Sequence, residues 1–223
     1  KAAGDHATPV AIERELSRFE RLNAALVAVQ AVQAAGGTVH YHSVDLTDAA
    51  AVDAVMADVR ERSGRIDVLL HAAGLEISRN LPDKEPREYD LVFDVKSDGW
   101  FNVFHAAQDM PIGSTVVFSS VAGRFGNQGQ TDYSAANDAL DTLAHARDGQ
   151  HGCRVVSIDW GPWGGGGMVS EELEREYARR GIGLVEPADG VLALLHEISD
   201  PSGPPQVVVM RGTPEAFGPP LDH

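Results

Sequence analysis

Apolar residues recur at two spacings along this chain, and the alternation between those spacings lays out the fold. From residue 8 to 35, Ile12, Leu16, Phe19, Leu22, Leu26 and Val29 fall three or four apart, the period of one helix face. Thr8 stands as its N-cap, Pro9 at its first position and Gly36-Gly37 at its end, which predicts one long helix that packs through its apolar stripe. TVHYHSVDL, 38 to 46, alternates with period two and predicts a strand. Val52, Val55, Met56 and Val59 mark a second helix, stopped by Gly64, and IDVLL then reads as a buried parallel strand running into His71-Ala72-Ala73-Gly74. A helix carrying Lys96 follows, then the apolar run Val116 to Phe118, a polar loop, and a helix with Ala136, Leu140, Leu143 and Ala144 on one face. CRVVSIDW is a further strand, Ala188 to Ile198 the last helix and QVVVM the last strand. Strands separated by helices in this way predict an α/β protein with a doubly wound parallel sheet in three layers.

Composition narrows the partners. A chain of 223 residues, 43% hydrophobic and 23% charged, is one ordinary globular domain. Its formal charge of −15 argues against nucleic acid, whose phosphates it would repel. Cys153 is the single cysteine, so an intrachain disulfide is excluded. His40 and His42 share a strand face, but with no third ligand near them they read as ordinary strand residues rather than a metal site. No run approaches the eighteen apolar residues of a membrane span, and no signal peptide opens the chain, which points to a cytoplasmic protein. The first residue, Lys1, is not a methionine and suggests a piece of something longer.

The chemistry concentrates between Thr115 and Leu143. Ser119 and Ser120 end a strand, and Tyr133 opens the next helix with Asn137 four residues on, one turn along the same face. A serine at a strand end, twelve intervening residues and a tyrosine opening a helix resemble the site of short-chain dehydrogenases/reductases, whose fold is Rossmann-like. The closer resemblance is to the ketoreductase domains of polyketide and polyunsaturated fatty acid synthases, where asparagine follows the tyrosine by four and the lysine comes from the preceding long helix. Lys96 in FDVKSDGWFNVF holds that place, so the resemblance implies a catalytic set of Lys96, Ser120, Tyr133 and Asn137. Reduction of a ketone places negative charge on its oxygen, which needs hydrogen-bond donors and a proton. A phenol can give the proton, a nearby ammonium favours the phenolate, a serine can donate a second hydrogen bond, and Asn137 can hold a group that passes protons on.

The same resemblance implies a nicotinamide dinucleotide, expected to be NADPH. Asp45 matches the position that hydrogen-bonds the adenine, with Leu46 contributing backbone. His71, Ala72, Ala73 and Gly74 match an NNAG-type motif whose small residues let a cofactor approach the strand end. Lys96 and Tyr133 would also bind it, and Pro162 and Trp163 match the segment facing the nicotinamide. Residues 164–187, a glycine hinge, a charged helix and a second hinge, suit a lid. Residues 1–37 resemble an inserted helix of the polyunsaturated fatty acid synthase branch, 38–212 the core, and 213–223 a tail or linker. Leu75-Glu76-Ile77-Ser78 and Phe125 stand where modular ketoreductases carry markers of product hand, so neither marker is present.

No glycine-rich turn follows a first strand here, although the family binds its dinucleotide through one. Placing the motifs in order starts this chain after the first two strands of the fold. The expectation is an upstream segment that supplies that strand-helix-strand unit, without which the sheet centre would hold unpaired backbone. The function expected is reduction of a β-ketoacyl group on an acyl carrier protein, beside neighbouring synthase domains. The rivals are a free-standing dehydrogenase acting on a small alcohol or ketone and a non-catalytic structural domain of a synthase.

Overall fold

The computed structural model describes residues 8–149, 153–165, 169 and 171–213. Two compact units are distinguished, residues 1–43 and 44–223. The first is built on α1 (Pro9–Ala34), capped where Thr8 Oγ1 accepts from Ala11 N at 3.2 Å. Its apolar stripe departs from expectation, because Ile12, Leu16, Phe19, Leu22 and Leu26 are all more than half exposed. Periodicity sets a stripe on one side of a helix; it does not supply the surface that covers it. Residues 38–45 also differ, since they form no strand despite their alternation. A strand exists only through hydrogen bonds to a neighbour, and none of the described strands pairs with this stretch.

The second unit is the α/β layer structure the pattern predicts. Asp48 caps α2 (Ala49–Ser63) by accepting from Ala51 N at 3.1 Å, and Gly64 ends it in the left-handed region at φ 68°, where a side chain would be strained. Next come β1 (Ile66–His71), α3 (Pro86–Ala107), β2 (Ile112–Ser120), α4 (Val121–Phe125), α5 (Thr131–Arg147) and β3 (Arg154–Trp160). They are followed by α6 (Glu171–Arg179), β4 (Ile182–Gly183), α7 (Pro187–Ser199), β5 (Gln206–Val209) and β6 (Arg211–Gly212). The sheet order is β1-β2-β3-β5, parallel throughout, and β4 and β6 form a separate antiparallel pair.

Alternation along the central strands divides the core. Val117 and Val155 join Val52, Leu69, Trp100 and Leu140 on one face, while Val116, Val156, Ile158 and Trp160 pack with residues of α7 on the other. Both central strands are covered on two faces and read as near-continuous apolar runs. β1 is less enclosed than its composition suggests: Val68 is 38% and Leu70 47% exposed, and among the described residues β1 pairs only with β2.

The consequence for the site is positional. Parallel strands align their carboxyl ends, so Ser119 and Ser120 lie in register with Asp159 and Trp160, at the edge where open α/β sheets place ligands.

Candidate active site

A cavity of about 570 Å³ opens at the carboxyl ends of β1, β2 and β3. Lys96, Ser120 and Tyr133 line it together, with Ala72, Gly74, Pro162 and Trp163 also on its wall. Lys96 Nζ lies 5.8 Å from the centroid of the Tyr133 ring. Three separate elements, α3, β2 and α5, therefore converge on one space.

Each side chain is held by identifiable contacts. Lys96 is 4% exposed and donates to the Phe118 carbonyl at 2.7 Å, which ties α3 to the end of β2. Gly74 leaves room for it, because a Cβ there would stand 2.7 Å from Lys96 Cε. We expect Gly74→Ala to displace the ammonium and lower turnover at least about tenfold, as small misplacements at a reacting centre do; steady-state kinetics check this. Ser120 caps α4 by accepting from Ala122 N at 3.2 Å. Asn137 Nδ2 donates to the Tyr133 carbonyl at 2.7 Å, and Ser119 Oγ to the Asn137 carbonyl at 3.3 Å. Asn137 is buried and does not line the cavity itself. Its close neighbour is Gly123, where a Cβ would stand 2.9 Å from Asn137 Cβ.

The electrostatics correct one expectation. The Tyr133 hydroxyl is not acidified; burial raises it above the ordinary phenol value, against hydrogen bonding from Ser120 and Asn137, and the charge of Glu76 adds to the rise. Burial also lowers Lys96 to about 8, with the Asp141 carboxylate acting the other way. Desolvation outweighs the hydrogen bonds at Tyr133 and the attraction of Asp141 at Lys96. The phenol thus stays protonated at neutral pH, which suits a proton donor.

Sequence reasoning missed a second buried pair. Lys84 Nζ donates to Asp132 Oδ2 at 2.6 Å and to the Ile77 carbonyl at 2.7 Å, with the two side chains 1% and 0% exposed. Asp132 Oδ1 in turn accepts from Tyr133 N at 2.9 Å. This pair fastens the loop after β1 to the first turn of α5, next to the tyrosine. The one signal in the sequence was an acid immediately before Tyr133, which has no meaning until Lys84 is brought beside it. Glu76, Tyr177 and Arg180 also line the cavity and were not singled out.

The proposed cofactor residues divide into two groups. Ala72, Gly74, Lys96, Tyr133, Pro162 and Trp163 reach the cavity, whereas Asp45, Leu46, His71 and Ala73 do not. Asp45 is exposed and accepts from Thr47 N and Thr47 Oγ1, which lowers its pKa. The Leu46 carbonyl accepts from Asn102 Nδ2 at 2.9 Å. His71 is 2% exposed, lies 3.1 Å through Nε2 from the Lys96 carbonyl, and is lowered to about 4 by burial first and the Lys96 charge second. It is a neutral strut under α3.

That has a measurable consequence for stability. Between pH 6.5 and about 4 the unfolded chain takes up a proton at His71 that the folded chain refuses, so stability falls as pH falls. The full effect is about 3 kcal/mol. Urea unfolding of His71→Asn is expected to lose this acid-side slope relative to the unsubstituted protein. Asp159, raised to about 7, contributes a slope of opposite sign to both proteins and cancels in the difference.

Of the lid segment, residues 166–168 and 170 lie outside those described, as does most of the tail, 214–223. The rest of the segment bounds the cavity through Val169, Leu173, Tyr177, Arg180 and Ile182. No helix among the described residues is long and apolar enough to cross a membrane.

A parallel α/β sheet whose strand ends gather a serine, a tyrosine and a lysine around one cavity has the architecture of the short-chain dehydrogenase/reductase class. Known proteins narrow the class: the family model described as the KR domain matches residues 14–165, and the chain belongs to that ketoreductase family. It is 32% identical over 207 residues to a polyunsaturated fatty acid synthase component of Thraustochytrium sp., a match covering 92% of this chain and 7% of that protein. It is also 32% identical to the polyketide synthase PksL of Bacillus subtilis, covering 82% of this chain and 4% of the synthase. Among solved structures, the ketoreductase from the first module of phoslactomycin biosynthesis in Streptomyces sp. HK803 superposes with a TM-score of 0.78 at 30% identity, covering 85% of this chain and 44% of that one. A ketoreductase domain from the bacillaene assembly line gives 0.77 at 28%, covering 96% and 49%. The chain thus spans less than a tenth of these synthases and under half of these ketoreductase structures.

Proposed function

We propose that this chain carries the catalytic half of an NADPH-dependent β-ketoacyl reductase, acting on acyl groups presented by an acyl carrier protein within a multidomain synthase. The observation that carries the proposal is the meeting of Lys96, Ser120 and Tyr133 in one cavity. The substrate ketone takes its place between Ser120 and Tyr133, which both donate hydrogen bonds to its oxygen. Tyr133 then gives its proton to that oxygen as charge develops there. Lys96 stabilises the phenolate left behind, and Asn137 fixes the first turn of α5 through the Tyr133 carbonyl. Phe125, Trp163, Leu173 and Met210 supply apolar wall for an acyl chain.

The nicotinamide would supply the hydride. Small residues at the strand ends, Ala72 and Gly74, together with Pro162 and Trp163, suit that half of the cofactor. The adenosine half draws less support, since Asp45 and Leu46 lie off the cavity and are engaged with Thr47 and Asn102. We therefore also propose that an upstream segment supplies the first strand-helix-strand unit, with residues 38–212 as core, 1–37 as an inserted helix, 164–187 as lid and 213–223 as tail. The unpaired edge of β1 and the exposed Val68 and Leu70 favour it. The test is NADPH consumption by the reductase in its complete polypeptide with a β-ketoacyl thioester. Consumption that needs the ketone supports the reading; consumption of a small alcohol's ketone alone, or none, counts against it.

A further inference from the structure

Two carboxyl groups that this chemistry does not use lie buried under the site. Asp141 on α5 and Asp159 on β3 are 4% and 0% exposed. Asp141 Oδ1 accepts from Ser157 Oγ at 2.6 Å, and Asp159 Oδ2 from Gln206 Nε2 at 2.8 Å. The other oxygens, Asp141 Oδ2 and Asp159 Oδ1, are enclosed with no hydrogen-bond partner, and Ser157, which donates to Asp141, stands two residues before Asp159 on the same face of β3.

The surroundings supply no cation in contact with either carboxyl among the described residues. Ser119 Oγ on β2 donates to the Asn137 carbonyl at 3.3 Å. Lys96 on α3 acts on Asp141 through its charge. His145 on α5 meets the side-chain carbonyl oxygen of Gln206 at 3.1 Å, one amide away from Asp159. Two carboxylates in one dry site cannot both ionise without a large cost, and each orphaned oxygen adds its own desolvation cost. One proton between them removes both difficulties.

We propose that Asp141 and Asp159 share a single proton through their facing oxygens, as a positioning pair whose one remaining negative charge keeps Lys96 an ammonium beside Tyr133. The first half stands on geometry; its consequence for turnover rests on the reductase reading. Burial first and the Asp141 charge second raise Asp159 to about 7. The charge that remains opposes the burial that pulls Lys96 down to about 8.

Infrared difference spectra of the complete reductase, with aspartate carboxyls labelled with carbon-13, test the proton directly. A label-shifted band of a protonated carboxyl is expected at about pH 6, lost by about pH 9, absent from Asp159→Asn, and lost at a lower pH in Asp141→Asn, where burial alone raises Asp159. Its absence from the unsubstituted protein, its survival in Asp159→Asn, or an unchanged titration in Asp141→Asn overturns the shared proton, and the unsubstituted spectrum decides even where a variant fails to fold. The alkaline limb of kcat tests the charge. Asp159→Asn, which leaves Asp141 as a carboxylate, is expected to keep that limb in place. The double variant is expected to move it about one pH unit lower, a loss of up to about tenfold near pH 8. An unmoved limb in the double variant overturns the role assigned to the charge. Absence of any turnover in the unsubstituted protein would count against the reductase reading and leave the infrared result to decide the pair.

Discussion

Tyr133→Phe is expected to lower ketone reduction by about 10²–10⁴-fold, the usual range for loss of a placed general acid, while leaving NADPH affinity within about twofold. The ring of Tyr133 packs beside Lys96 and phenylalanine preserves it, so only the hydroxyl and its proton are removed. Burial holds that proton on the phenol at neutral pH, which makes it available when charge develops on the substrate oxygen. Steady-state rates separate this role from a purely architectural one. A structural tyrosine would change stability or KM and spare kcat, whereas a proton donor lowers kcat and kcat/KM together. Cofactor affinity measured by fluorescence titration completes the comparison.

Lys84→Met is expected to have the largest effect on stability. It leaves Asp132 as an unpaired carboxylate in a site with 0% side-chain exposure, and breaking one side of a buried ion pair costs about 3–5 kcal/mol. Turnover should fall as well, because Asp132 also receives the Tyr133 backbone N–H. Adding Asp132→Asn to Lys84→Met removes the stranded charge and retains an oxygen for that N–H. The double variant is therefore expected to recover most of the lost stability in denaturant unfolding, and a double variant no better than Lys84→Met would contradict the account. Surface pairs such as Arg62 with Asp58 should matter far less, since solvent screens them.

How much of this was legible in the sequence depends on the range of the interactions. Helices that announce themselves by local chemistry, with Thr8, Asp48 and Gly64 at their ends, lie where the pattern placed them. The candidate site was named through a resemblance carried by residue types at a strand end and a helix start, and the structure brings Lys96, Ser120 and Tyr133 to one cavity with Asn137 behind them on the Tyr133 carbonyl. Residues 38–46 failed because alternation specifies which side chains share a face, while strand formation needs a partner elsewhere. The stripe on α1 failed likewise, since its exposure depends on what covers it. The buried pairs Lys84 with Asp132 and Asp141 with Asp159 join residues from different elements, and no periodicity links them. The pKa of Tyr133 was misjudged because a neighbouring charge can be read from a motif, but the depth of burial that raises it cannot.

The most direct measurement follows the hydride and the proton to their destination. NADPH deuterated at C4 of the nicotinamide, given to the reductase in its complete polypeptide with a β-ketoacyl thioester, should yield a β-hydroxyacyl product with deuterium on the carbinol carbon. The same reaction with Tyr133→Phe should yield almost none. A labelled product formed equally well by Tyr133→Phe, or NADPH oxidised without deuterium reaching that carbon, would contradict the account.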